Sequence, residues 1–251
     1  MRVTFYKVWS DLWGHKVRTL QVVMIIALGV FSIGVVVGGR NLSAAAVNDD
    51  WRHSNPPAMK ISVTPSMSAD ELAGLEHIDG ILAVEGFQSA AIEWRHGTDE
   101  PWQPATLNAR ADYTDQKMSQ WELTAGTWPE RYDVAIERGF GRQHGLAVGD
   151  SIEVRIDGRV RAVRITGELN SRETAPMFSP DLVLYMAQQR FEQVTATTGY
   201  GVVQARLAAI SPDGRFDQAR AEAIDAEVQN RLDKLGIESQ GLIPVIPDFK
   251  R

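Results

Sequence analysis

The chain is 251 residues long, 44% hydrophobic and 23% charged, the proportions of a protein with a real folded core. It has no cysteine, which excludes disulfide scaffolds, thiol nucleophiles and cysteine-held metals. Its net charge of −6 is unevenly placed: the first 40 residues carry +4 and residues 41–251 carry −10, which argues against a nucleic-acid partner.

Residues 3–17 place Phe5, Tyr6, Trp9, Leu12, Trp13 and Val17 on one helical stripe, the pattern of a helix lying in a membrane interface. Residues 19–39, TLQVVMIIALGVFSIGVVVGG, then run without a charge. As a helix they reach roughly 31 Å, the thickness of a bilayer's hydrocarbon core. Lys16, Arg18 and Arg40 bracket this run, and with Trp9 and Trp13 they are the expected interface anchors. The excess of Lys and Arg on the amino side predicts a cytoplasmic N-terminus and an extracytoplasmic body. Gly34 and Gly38 form a GxxxG, a spacing at which a second membrane helix can pack closely. Ala44-Ala45-Ala46 offers a signal-cleavage alternative, but the apolar run is longer than a signal peptide needs.

Pro56-Pro57 marks the entry to the folded domain. A strand is predicted over 58–64, then a helix opened by the capping box Ser68-x-x-Glu71 and closed near Gly80. Residues 81–94 read as a strand with a bulge or turn at Gly86, followed by a turn and a strand over 103–109. Val134–Glu137 and a short helix over 138–144 lead to a hairpin turning at Asp157-Gly158. Arg155, Arg159, Arg161 and Arg164 line that hairpin with Glu153 and Asp157, and a solvated face with cross-strand ion pairs is expected rather than an anion site. A strand over 182–186, a helix over 187–194 and a strand over 201–208 follow. The last predicted helix covers 215–235, with Phe216, Ala219, Ala223, Val228, Leu232 and Leu235 on its apolar face and Gly236 as its cap.

No catalytic motif emerges. The five histidines, His15, His53, His77, His96 and His144, have no ligand spacing, and HExxH, Walker A, GxSxG and EF-hand patterns are missing. Gly139-Phe140-Gly141 begins like a dinucleotide fingerprint but lacks its third glycine. The residues therefore point to neither an enzyme nor a cofactor or metal. They point to mechanical work: an outer domain attached to a membrane helix.

The opening WSDLWGHKVRTLQVVMIIALGVFSIGVVVGG, with Lys16, Arg18, Thr19 and Ala27-Leu28-Gly29, resembles the first transmembrane segment of MacB/FtsX-type ABC transporter permeases. EHIDGILAVEG (76–86) and ERGFGRQHGLAVGDSIEVRIDGRVRAVRITGEL (137–169) are similar to passages of that family's outer domain, through Gly145-Leu146, Gly149-Asp150 and Gly167. The resemblance implies an α+β protein: one N-terminal transmembrane helix, then a mixed α/β porter-like extracytoplasmic domain with an inserted β-rich subdomain. The implied division is an interfacial helix (1–18), the span (19–39), a linker (40–57), porter-like parts (58–110 and 181–240), the inserted subdomain (111–180) and a terminal linker (241–251). The implied partners are a cytoplasmic ABC-type ATPase, further permease helices or a second permease copy, and membrane lipid. The implied function is to couple ATP hydrolysis to export of, or mechanical work on, a lipophilic or envelope substrate at a bacterial inner membrane. Further spans of that family are not read in this sequence, so it is expected to be part of a longer permease or a single-pass relative. The other reading is a membrane-anchored extracytoplasmic binding or adaptor protein.

Overall fold

The computed structural model describes residues 20, 21, 24–29, 31, 57–171, 181–209 and 217–242. The chain divides into two units, Met1–Asp49 and Asp50–Arg251. In the first unit the described residues are helical, and Leu20, Met24, Ile25, Ile26, Leu28 and Phe31 leave 60–72% of their surface uncovered. Among the described residues no helix is long and apolar enough to cross a membrane; most of the uncharged run 19–39 lies outside them.

The second unit is built on β1 (Met59–Met67), α1 (Ala69–Leu75), β2 (Ile81–Arg95), β3 (Gln103–Arg110), β4 (Glu122–Gly126) and β5 (Val134–Glu137). It continues with α2 (Arg138–Gln143), β6 (Ser151–Ile156), β7 (Arg159–Asn170), β8 (Leu182–Ala187), α3 (Gln188–Thr195), β9 (Tyr200–Leu207), α4 (Gln218–Leu235) and β10 (Glu238–Leu242). The strand order is β10-β1-β9-β2-β3-β8-β5-β7-β4, with β6 joining β2 to β7. β2 is the hinge of this layout. Ile81–Phe87 pair antiparallel with β9, whereas Gln88–Trp94 pair antiparallel with β3, so one long strand serves both ends of the sheet.

Two hydrophobic cores follow from that arrangement. One lies under α1 and α4, where Met59, Ile61 and Val63 of β1 and Val203, Ala205 and Leu207 of β9 meet Leu75, Ile224, Val228 and Leu232. The other gathers β3, β5, β6, β7 and β8 around Leu107, Ile136, Phe140, Ile165, Leu184 and Phe191.

Several local expectations are realised in atomic detail. Glu71 N donates to Ser68 Oγ and Ser68 N to Glu71 Oε2, so the capping box closes both ways and opens α1. Asp157 and Gly158 both adopt positive φ, 47° and 77°, the backbone of the two-residue turn whose twist matches a hairpin. The Gly-Leu-x-x-Gly-Asp passage forms a compact bend. Gly145 has φ 68°, Leu146 is buried, Ala147 N donates to Asp150 Oδ2 at 2.8 Å, and Gly149 N donates to Ile165 O at 2.8 Å.

Three expectations change. β2 runs unbroken through Gly86, and its register shift lies between Ile81 and Ala83 instead. Gly86 is there for room: a Cβ on it would stand 2.5 Å from Tyr200 Cγ, so the aromatic ring of β9 lies on the bare backbone. The buried face of α4 is Ala221, Ile224, Val228 and Leu232, with Ala219, Ala223 and Leu235 exposed, while Phe216 lies outside the described residues. Alanines at 219, 221 and 223 make the stripe ambiguous, and the larger Ile224 decides which side turns inward. Glu238–Leu242, which shows no strand periodicity, becomes β10 because it pairs with β1 from Lys60↔Leu242 to Thr64↔Glu238.

Candidate functional site

The site residues read from the sequence, Trp9, Trp13, Lys16, Arg18, Gly34, Gly38 and Arg40, all lie outside the described residues. Within the outer domain a different set stands out. β3 ends on Arg110, which is 1% exposed. Its Nη1 donates to Glu85 Oε1, Gln116 Oε1 and Met118 O, each at 3.1 Å, and its Nη2 to Ser119 O at 3.3 Å. The planar guanidinium also lies 4.1 Å from the Trp121 ring centre and 5.4 Å from that of Phe87. A rigid fork with a stackable face suits such a site far better than a lysine would.

The residues around Arg110 come from β2 and from the loop that follows β3. Glu85 sits on the β9-paired half of β2, and its Oε2 accepts from Met118 N at 2.8 Å. Burial pushes its carboxyl above the ordinary range, while the charge of Arg110 works the other way. Gln204 of β9, fully buried, donates from Nε2 to Ser119 Oγ at 2.8 Å. The loop 111–121 is thereby tied to the first core by Glu85 and Gln204.

The chain of contacts continues into the second core. Trp121 packs on Tyr185 with ring centres 4.7 Å apart, and the Tyr185 hydroxyl donates to Glu137, which is 2% exposed. Ser171 N donates to both Glu137 oxygens, at 3.0 and 3.2 Å. Tyr113 stacks on Trp128 at 5.1 Å, and its hydroxyl donates to Met186 O at 2.6 Å; burial raises its pKa well above the usual phenol range. From Glu85 to Ser171 a continuous polar and aromatic strut thus crosses the domain.

This strut offers no nucleophile paired with a base. Among the described residues no three His, Asp or Glu side chains converge to hold a metal ion. What it supplies is stiffness, since buried hydrogen bonds and ring contacts between separate elements favour one arrangement of them, even though Ser171 Oγ and Gln204 Oε1 find no hydrogen-bond partner among the described residues. Sequence reading passed over Glu85 because its partners Arg110 and Met118 lie 25 and 33 residues along the chain, and over Arg110 because two of its nearby acceptors are backbone carbonyls, which no side-chain pattern announces.

The profile described as the MacB-like periplasmic core domain matches residues 19–231. The chain belongs to the MacB-like periplasmic core domain family. It starts matching at Thr19, the first residue of the uncharged run, and continues nearly to the end of α4. The resemblance to MacB/FtsX-type ABC transporter permeases is thereby borne out, and the MacB-like domain makes the chain a component of an ABC-type permease. A search of curated proteins found no match. Among solved structures the MacB-like chain is similar to the extracellular domain of the noncanonic ABC-type transporter YknZ from Gram-positive bacteria, at 15% identity and TM-score 0.46, covering 73% of this chain and 99% of that one. It is also similar to the periplasmic region of MacB from Actinobacillus actinomycetemcomitans, at 11% identity and TM-score 0.45, covering 73% and 87%. A domain of a putative permease protein from Porphyromonas gingivalis aligns at 15% identity and TM-score 0.41, covering 76% and 93%.

Proposed function

We propose that this chain is the first membrane span and outer domain of a MacB/FtsX-type permease, moved by a cytoplasmic ABC-type ATPase that hydrolyses ATP. The observation that carries the reading is the extent of the family match, which begins at the first residue of the membrane-length apolar run and reaches residue 231, within the last helix of the outer domain. Residues 1–18 lie along the inner face of a bacterial cytoplasmic membrane, with Trp9, Trp13, Lys16 and Arg18 at that interface and Arg40 at the outer one. Gly34 and Gly38 face a further permease helix or a second permease copy. The body beyond residue 57, porter-like over 58–110 and 181–240 and β-rich over 111–180, acts as a lever on a lipophilic or envelope substrate. The buried strut from Glu85 to Ser171 supports this, because a lever must transmit displacement without bending at its middle. No step of catalysis is assigned to the chain itself.

The test is purification of the full chain from native membranes in mild detergent. A stoichiometric ATPase subunit is expected in the complex, with ATP hydrolysis that falls when the chain is removed. Recovery of an envelope protein alone, with no ATPase, would overturn the proposal and leave a membrane-anchored adaptor.

A further inference from the structure

The arginine-rich hairpin of β6 and β7 holds a feature that lever action does not use. Two of its charges are paired across to β2: Arg95 Nε and Nη2 reach Glu153 Oε2 at 2.6 and 2.5 Å, and Arg155 reaches Glu93. Trp102 lies against both guanidinium groups, at 4.4 and 4.5 Å from the ring centre. Arg161 is different. It has the same strand parity as the buried Val163, Ile165 and Leu169, and its register partner is the buried Val154. The alternation of β7 therefore turns this cation toward the apolar side of the hairpin, where it is half-buried. Among the described residues no carboxylate pairs with it.

Beside Arg161 lies a cavity of about 200 Å³, walled by Val154 and Ile156 of β6, Val163 of β7 and Val194 of α3. These four are 1–5% exposed. Tyr132 stands at the rim, 47% exposed, and the guanidinium of Arg190 covers its ring at 4.7 Å. An apolar cavity of this kind does not hold water well and accepts an apolar guest, whereas a half-desolvated guanidinium lacking an anion calls for one.

We propose that this cavity binds a single-chain anionic amphiphile, a short acyl chain inside and its carboxylate or phosphate on Arg161. By comparison with a dry cavity of about 150 Å³ that takes benzene, the space suits a chain of roughly six to eight carbons. Charge complementarity selects the head group and the valine walls select the tail. A neutral alcohol of the same length satisfies only the walls, and an alkylammonium is repelled by Arg161. The inference stands apart from ATPase coupling, since binding needs neither nucleotide nor partner.

The experiment uses the full chain in nanodiscs, titrated with octanoate labelled with ¹³C at the carboxyl and followed by NMR against empty nanodiscs. Saturable binding with a shifted carboxyl resonance is expected. Arg161→Gln, which keeps most of the side-chain stem, should weaken binding about tenfold or more, the loss of one charge-assisted contact. Val194→Phe should abolish binding by filling the space, and the thermal melt of Arg161→Gln should match the parent to show that the fold persists. Octyl phosphate should compete and octylammonium should not. Equal affinity in Arg161→Gln, equal competition by octylammonium, or no binding above empty nanodiscs would each overturn the proposal.

Discussion

Arg110, buried and bonded to Glu85 and to the loop after β3, is a residue at which the outer domain is open to single-site damage. A buried ion pair adds little compared with well-packed apolar residues, but removing one partner leaves the other charged and stranded. Arg110→Met should therefore lower unfolding stability by about 3–5 kcal/mol, read by denaturant titration, and Glu85→Gln added to it should restore part of the loss. Glu85 also makes stability depend on pH. Its folded pKa is raised above the unfolded value, chiefly by burial, so its contribution is fully present below the ordinary carboxylate range and is lost as pH rises through the folded value. The stability of the parent relative to Glu85→Gln should shrink between pH 4 and pH 7, and a difference that grows over that interval would contradict the assignment. Neither residue was legible in the sequence. Glu85 is one acid in a strand and Arg110 one base at a strand end; they meet because β2 and β3 pair antiparallel and bring positions far apart along the chain together.

At the scale of elements, the sequence was readable wherever the deciding interaction is local. Ser68 and Glu71 are three residues apart, Asp157-Gly158 is a dipeptide, and Gly236, with φ 69°, ends α4 as a left-handed cap. Ser68→Ala should cost about 1 kcal/mol, the usual worth of an N-cap, measurable as a lower midpoint in denaturant. Gly86 teaches the opposite lesson. Its spacing suggested a bulge, but the requirement comes from Tyr200, a neighbour across the sheet. Gly86→Ala should destabilise by about 1–3 kcal/mol, the range for overpacking, and Tyr200→Ala should suppress that penalty in a double-mutant cycle. Additive effects of the two substitutions would show that the ring does not need the missing Cβ. β10 was hidden for a related reason: Glu238–Leu242 is a polar, glycine-bearing edge segment with no apolar alternation to read, and pairing with β1 alone makes it a strand.

At the scale of the whole molecule, the proposed orientation across a membrane rests on the excess of Lys and Arg before the uncharged run, and the lack of native cysteine makes it easy to test. Asp99→Cys, in the turn after β2, should react with a membrane-impermeant maleimide in intact spheroplasts, whereas Ser10→Cys should react only after permeabilisation. The reverse pattern would place the outer domain inside. The outer domain gathers its two cores around one shared strand, so if it acts as the proposed lever, damage at the Arg110 junction should impair coupling more than equal destabilisation at β10. That comparison is read as ATP hydrolysis stimulated by the permease in the purified complex.

What the sequence determined by itself was the membrane-length run, the side on which charge accumulates, the order of helices and hairpins, and the family; each depends on composition or on residues within a few positions of one another. The tertiary structure alone decided that β2 is shared between two cores, that Arg110 and Glu137 are buried with Glu85 half-buried beside Arg110, that Gly86 makes room for an aromatic ring, and that Arg161 faces an apolar cavity. The physical reason is the same throughout. Capping, turn and hydropathy signals act along the chain, whereas desolvation and close packing depend on what lies across it, and those neighbours exist only once the strands have paired.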